Sequence, residues 1–387
     1  MADPTSSEHK PDTPEARAYN RIRRRLSLID AALGFALLVL LLAMGWSKEL
    51  RDVATHLASG HYALALLVYI VLLAVLAKLA GLGLDYYSFR LEHHYQLSNQ
   101  KLGSWAWDEI KGMLVGLVLG GLLAEVVYFI LRQWPERWWL VAWGVFLALF
   151  VFFAQVAPVV LFPLFYKFTP LEDQELKERL LRLSQRAGTR VRGVYEWKLS
   201  EKSKKANAAL VGLGRTRRII LADTLLAGYS PDEIESILAH ELGHHVHRHI
   251  PKSIVVEAGI SLFGFWAAGQ VLALAVARHW FASLDDFANL PLLLLVSSVL
   301  SLLLMPAMNA YSRSKEREAD RYALDATGRA APFISSMNKL AEQNLAEREP
   351  KAWVEWLFHS HPAISKRIAA AEDWEKQKTP SAADSRG

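Results

Sequence analysis

The 387-residue chain contains no cysteine, which excludes disulfides, thiolate metal sites and a cysteine nucleophile. Any bound metal must therefore sit on histidine and carboxylate. The chain also lacks a basic stripe interleaved with stacking aromatics: its formal charge is only +5, with Lys and Arg spread over segments that flank apolar runs and over one large loop. No nucleic-acid partner is expected. Residues 1–20 are polar, too poor in apolar side chains to bury a core, and they carry neither the short apolar segment nor the cleavage site of a signal peptide. They predict a disordered tail that ends in a basic stretch, the two together covering 1–25. Internal repeats are absent, as are low-complexity tracts outside the tails.

Long apolar runs are what the chain has in abundance. Segments 26–46, 62–84, 113–131, 138–165, 254–277 and 290–311 each come near the roughly 20 residues that a bilayer crossing requires. They predict a region of four spans over 26–168 and two further spans over 251–311. Arg21, Arg23, Arg24 and Arg25 precede the first run, and a basic flank of this kind is retained in the cytoplasm. An even number of crossings then returns segments 169–250 and 312–374 to the cytoplasm, followed by a disordered tail at 375–387. Acidic rather than basic residues around 279–289 agree with that orientation. Trp134, Trp138, Trp139 and Trp280 at span ends read as interfacial anchors. Lys78, Glu125 and Glu257 lie within apolar runs, where a lipid-facing charge costs about 2.5–3.5 kcal/mol, so they are predicted to face an interior.

Between the fourth and fifth runs the chain is soluble in character. A helix is expected over 171–187 and strands over 191–197, 208–213 and 218–221, with Gly212 and Gly214 marking the turn between the last two. Ser230, Pro231 and Asp232, followed by Glu233 and Glu235, announce another helix.

That helix carries His240-Glu241-Leu242-Gly243-His244. Four-residue spacing puts both imidazoles on one face, a single turn apart, where they can grip one metal ion. Glu241 lies about 100° round the helix, close enough to act as general base on a water without entering the ligand set. A catalytic zinc needs a third protein ligand and an open position. The metzincin arrangement would place a histidine at position 250, which is Ile250, so that class is excluded. A distant carboxylate is the alternative. After the last apolar run, Glu316 and Asp320 share a helix face, as do Arg313 and Arg317; the competing reading is a solvated helix laced with local ion pairs. Spacing does not choose between Glu316 and Glu318. His245, His247 and His249 read as exposed or supporting residues of the same helix, with His247 sharing the face of His240.

With these residues in place the sequence resembles the type I CAAX prenyl protease family. These are the membrane gluzincins that mature a yeast mating pheromone and lamin precursors, together with their bacterial relatives. The likeness rests on His240 to His244, on Glu316-Arg317-Glu318-Ala319-Asp320, on Phe89-Arg90-Leu91-Glu92, on the segments 95–98 and 163–171, on Asn207-Ala208, and on Ser360-His361-Pro362 with Arg367-Ile368. The resemblance implies a polytopic α-helical membrane protein, its spans enclosing a chamber, with an embedded α+β gluzincin core. It implies one Zn2+ per chain, Glu316 as third ligand, and Asp320 holding a ligand histidine in the right tautomer. Asn207-Ala208 opens an expected edge strand, which can capture an extended peptide by backbone pairing, and the family implies that Asn207 orients the substrate. His361 could donate to an oxyanion. From the residues alone, a His-Pro pair that starts a helix is the favoured reading there. Expected partners are a lipid bilayer and a peptide or protein substrate, prenylated at a C-terminal cysteine in the family's best-known cases. The expected location is a bacterial inner membrane with the site on the cytoplasmic side. Eukaryotic members have seven spans against the six read here. Two rival functions are a membrane quality-control protease of the HtpX kind and a transporter or scaffold with a structural metal, which would leave Glu241 unexplained.

Overall fold

The computed structural model describes residues 11–212 and 216–378. Among these, six helices are long and apolar enough to cross a membrane: α1 (Pro14–Ala43), α3 (Tyr62–His94), α4 (Leu102–Gln133), α5 (Trp138–Val156), α9 (His249–Ala277) and α10 (Leu290–Thr327). Four of the six apolar runs lie wholly within one of these helices; the run 26–46 outlasts α1, which ends at Ala43, and the run 138–165 outlasts α5, which ends at Val156 and gives way to short turns over Ala157–Leu164 that contain Pro158 and Pro163. Helix α2 (Trp46–Leu57) was not expected; at about 1.5 Å per residue it is too short to span, and it packs between α1 and α3. Arg51 on it binds Asp286 across 2.7 Å, and Ser47 bonds Tyr69, closing that end of the bundle.

Both tails are shorter than the composition implies. Thr13 caps α1 by accepting the Ala16 N–H, with Pro14 at the first helical position, so 14–25 is helix. Its polar side chains find partners far along the chain. Asn20 donates to the Leu345 carbonyl at 2.6 Å, Arg24 pairs with Glu347, and Asp12 accepts the Arg348 N–H. Composition cannot anticipate partners more than 300 residues away. Residues 1–10 of the expected tail lie outside the described residues. At the other end, α13 (Ile364–Lys378) runs into the expected tail at 375–387, anchored by a buried Trp374 that donates to Asp325 at 2.7 Å. Residues 379–387 lie outside the description.

Trp138 is not an interfacial anchor: it is 3% exposed and packs edge-on against Phe265, whereas Trp134 and Trp280 are about half exposed. Lys78 is held by Asp85 and Glu109, each at 2.5 Å, so its charge is satisfied between α3 and α4.

The soluble core is a four-stranded sheet in the order β1-β2-β4-β3, built from β1 (Phe168–Pro170), β2 (Val194–Trp197), β3 (Ala208–Val211) and β4 (Arg218–Ala222). Strand β1 is too short for a periodic signal. It pairs antiparallel with β2, β2 runs parallel to β4, and β3 pairs antiparallel with β4 at the sheet edge. Strand β2 begins at Val194, later than the pattern suggested, because Arg192 and Gly193 bond instead to Arg217 and Ile219. Strand β3 ends at Gly212, whose φ of +87° and the Thr216 carbonyl oxygen 2.8 Å from any added Cβ demand glycine. Leu213 and Gly214 lie outside the described residues.

One face of the sheet packs on α8 (Pro231–Val246), with α6 (Gln174–Arg186), α7 (Asp223–Gly228) and α11 (Ala330–Gln343) completing the core around Leu221, Leu225, Ile234, Leu238 and Phe333. Burying such side chains supplies the main stabilising term, about 1.5–3 kcal/mol each.

Candidate metal centre

Helix α8 is fixed at its start. Ser230 accepts the Glu233 N–H while the Glu233 carboxylate accepts the Ser230 N–H, a reciprocal cap, and Arg179 of α6 binds Asp232 and Glu235 in the first turn. Negative charge there also suits the helix dipole. The helix then runs almost wholly buried to His240 and His244.

What brings the third candidate ligand to them is Gly243. A Cβ on this residue would lie 2.9 Å from Ala319 Cα, so the bare backbone lets α10 approach α8 closely. Gly243→Ala is therefore expected to push the two helices apart and lower stability by about 1–3 kcal/mol, the usual cost of overpacking. Thermal unfolding of the two proteins checks it.

Across that contact, the side chains of His240, His244 and Glu316 each offer one ligand atom, all within 4.8 Å of one another. His240 Nε2 lies 3.3 Å from Glu316 Oε2 and His244 Nε2 lies 3.4 Å from Glu316 Oε1. Glu316 Oε2 is buried without a hydrogen-bond partner, an arrangement of acceptors that a shared cation would satisfy. Burial opposes protonation of His240, but the nearby Asp320 and Glu316 carboxylates outweigh it and lift the ring to about 9. Burial and the neighbouring His240 charge instead push His244 down to about 4.

Each histidine is oriented from behind. Asp320 Oδ1 accepts from His240 Nδ1 at 2.8 Å, and Arg367 of α13 forks onto both Asp320 oxygens at 2.8 and 2.5 Å. His240 therefore turns its Nε2 to the centre. His244 is served by a relay that the sequence did not reveal: Glu318 accepts from His249 Nε2 at 3.0 Å, and His249 Nδ1 lies 3.0 Å from His244 Nδ1. His249 is not on the helix of His244 as expected. The chain breaks at Arg248, with φ +55°, and His249 opens α9, turning back on the site. His247, which shared a face with His240 on paper, instead stacks on His249 and meets Tyr322 edge-on. Arg248 is the only sequence-level trace of the break, and nothing in its identity announces it.

Glu241 sits beside β3. Loss of solvent raises its carboxyl above the usual range, His240 opposes that shift, and a hydrogen bond from the Leu210 backbone favours the ionised form. Among the described residues the outer edge of β3 pairs with no other strand, and Asn207, exposed, stands at its start with its carbonyl accepting the Ala222 N–H. His361, 60% exposed, brings Nε2 to 3.4 Å from Glu316 Oε1. The structure brings His240, His244 and Glu316 together, with Asp320 against His240 and His361 against Glu316, while Asn207 and Ala208 stand at the start of β3.

Residues 170–375 match Peptidase family M48, and residues 7–167 match the CAAX prenyl protease N-terminal region described as five membrane helices. The uncharacterized metalloprotease YhfN of Bacillus subtilis is 32% identical over 378 residues, covering 96% of this chain and 88% of that protein. The chain belongs to peptidase family M48. As an M48 member with six candidate spans it is a membrane metalloprotease. Five helices, α1 to α5, fall within the matched N-terminal region, and α2 is the one too short to cross. The CAAX prenyl protease 1 homolog of Oryza sativa subsp. japonica is 28% identical over 342 residues, 86% of this chain and 79% of that one. The crystal structure of S. mikatae Ste24p shares the fold, with a TM-score of 0.84 at 24% identity over 92% of this chain and 88% of that chain.

Proposed function

We propose that this M48 protein is a zinc endopeptidase of the prenyl-protease type, holding one Zn2+ on His240, His244 and Glu316. The observation that carries the reading is the convergence of two imidazoles and one carboxylate, the protein donor set of a catalytic zinc, which leaves the fourth position to water or substrate. Zinc held by these three residues would supply Lewis acidity toward the scissile carbonyl and the attacking water. The chain's own groups do the rest. An extended substrate pairs with the free edge of β3 at Asn207 and Ala208, which sets the scissile bond against Glu241. Glu241 takes the proton of the attacking water and returns it to the departing amine. Asp320 and Arg367 keep His240 in one tautomer throughout, and the Glu318–His249 pair does the same for His244.

His361 donates to the oxyanion in this scheme, being free to turn toward the open side. His361→Ala is expected to reduce kcat by about 10²- to 10³-fold with metal content unchanged. A pure structural role would lower the melting temperature and leave kcat near normal, so both are measured on one preparation.

The contacts of Asn20 with Leu345 and of Arg24 with Glu347 support a first span that starts on the same side of the membrane as the metal centre. Together with Arg21, Arg23, Arg24 and Arg25 this supports a cytoplasmic site, in a bacterial inner membrane. Single cysteines at Glu178 and Asp285, introduced into a chain that has none, should label from opposite sides; labelling from the same side would sink the topology.

Substrates prenylated near a C-terminal cysteine are the class that the prenyl-protease relatives suggest, and the match over 7–167 is what a quality-control role of the HtpX kind leaves unexplained. The decisive experiment compares zinc content and cleavage of a farnesylated peptide with its unmodified counterpart. One zinc per chain and a clear preference for the farnesylated peptide support the proposal; equal cleavage of both would point to general quality control.

A further inference from the structure

Helix α12 (Ala352–Phe358) exposes Trp353 and Trp356, at 59% and 56%, on a short helix outside the membrane spans. It is tied to the end of the last span: Asn309 donates to the Leu357 carbonyl at 2.7 Å, and Arg313 donates to the Glu355 and His359 carbonyls at 2.9 and 2.6 Å. Between α12, α13 and α10 lies a cavity of about 390 Å³ lined by Arg313, Arg317, Arg321, Lys366, Arg367 and Trp356. Its two acids are already engaged. Asp320 is held by Arg367, and Glu355 accepts from Lys366 at 2.6 Å and from the Ala363 N–H at 3.2 Å. Arg317 is exposed and makes no hydrogen bond or ion pair among the described residues; Arg321 meets only Asp325 on its own helix. Five cations against two occupied carboxylates leave this cavity strongly positive.

Its depth identifies the occupant. The apolar run of α10 ends at Tyr311, so at about 1.5 Å per residue Arg313 and Arg317 stand about 3 and 9 Å beyond it. A headgroup layer occupies about 5–7 Å on each side of the hydrocarbon, so Arg313 stands within it and Arg317 just past its outer boundary, on the aqueous side of the lipid phosphates. Exposed tryptophans belong at that level, and so do arginines facing lipid phosphate. We propose that this cavity binds the phosphate headgroup of an anionic phospholipid in the leaflet facing the metal centre, with Trp353 and Trp356 seated in the same interface. The lipid thereby clamps α12 and α13 to the end of α10, and α13 carries the Arg367 that holds Asp320.

The test uses the intact protein and does not depend on peptide cleavage, so it can fail while the protease assignment stands. Native mass spectrometry after delipidation compares retention of added phosphatidylglycerol with that of phosphatidylcholine, and melting temperature is followed with each lipid and with millimolar inorganic phosphate. The protein should retain phosphatidylglycerol preferentially and be stabilised by it. Arg317→Gln with Arg321→Gln should reduce the preference on the order of tenfold or more, and Arg317→Gln alone, which breaks no internal contact, should show part of that loss. Arg182→Gln, on the exposed face of α6, should retain it in full. The proposal is overturned by equal retention of the two lipids, by a preference that survives the double substitution, or by inorganic phosphate stabilising as well as the lipid does.

Discussion

Glu241→Gln is expected to leave the metal bound and to reduce peptide hydrolysis by at least the 10²- to 10⁴-fold typical of a lost general base. The substitution keeps the size of the side chain and touches none of the three ligand atoms, which come from His240, His244 and Glu316. What it removes is a carboxylate bonded to the Leu210 backbone of β3, a group already biased toward protonation by its loss of solvent. Metal analysis and turnover on the same sample separate the two effects. Stoichiometric metal with hydrolysis at the parent rate would remove Glu241 from the mechanism.

The second large effect is expected at Glu316. Glu316→Ala deletes the carboxylate that both imidazoles face, leaving two nitrogen donors and no carboxylate between them, so metal occupancy and activity should fall together below detection. Glu318→Ala acts at one remove. It frees His249, which then no longer fixes His244, and losses of that kind weaken metal binding by about 10- to 100-fold rather than abolishing it. Metal titration of both variants ranks them. If Glu318→Ala empties the site and Glu316→Ala does not, the assignment of the third ligand is wrong by two residues.

The parts of this protein that were legible in its sequence are those written locally. Six apolar runs announce six long helices because bilayer thickness fixes their length. Ser230 to Glu233 announces α8 because a reciprocal cap needs only four consecutive residues. His240 and His244 declare themselves through one turn of helix. Choosing Glu316 over Glu318 needed the family resemblance, since the deciding contact is Gly243 against Ala319, a meeting of two helices separated by two membrane crossings. The His249 relay was hidden for another reason: it depends on a single left-handed residue at Arg248, which no periodicity reports. The residues 14–25 were misread because their order comes from Leu345, Glu347 and Arg348, and a polar segment with distant partners looks the same as one with none.

The separation of His244 from Glu316 by α9 and α10 also governs when the enzyme comes into being. During synthesis the histidine pair emerges on one side of the membrane while its carboxylate is still unmade, and two more helices must enter the bilayer before Glu316 can reach it. Arg367, which steadies Asp320, is later still. A ribosome-bound or truncated chain therefore carries the recognisable histidine motif yet has no complete site. On the proposed ligand set, proteolytic capacity is withheld until insertion is finished, a timing rule imposed by the order of residues along the chain.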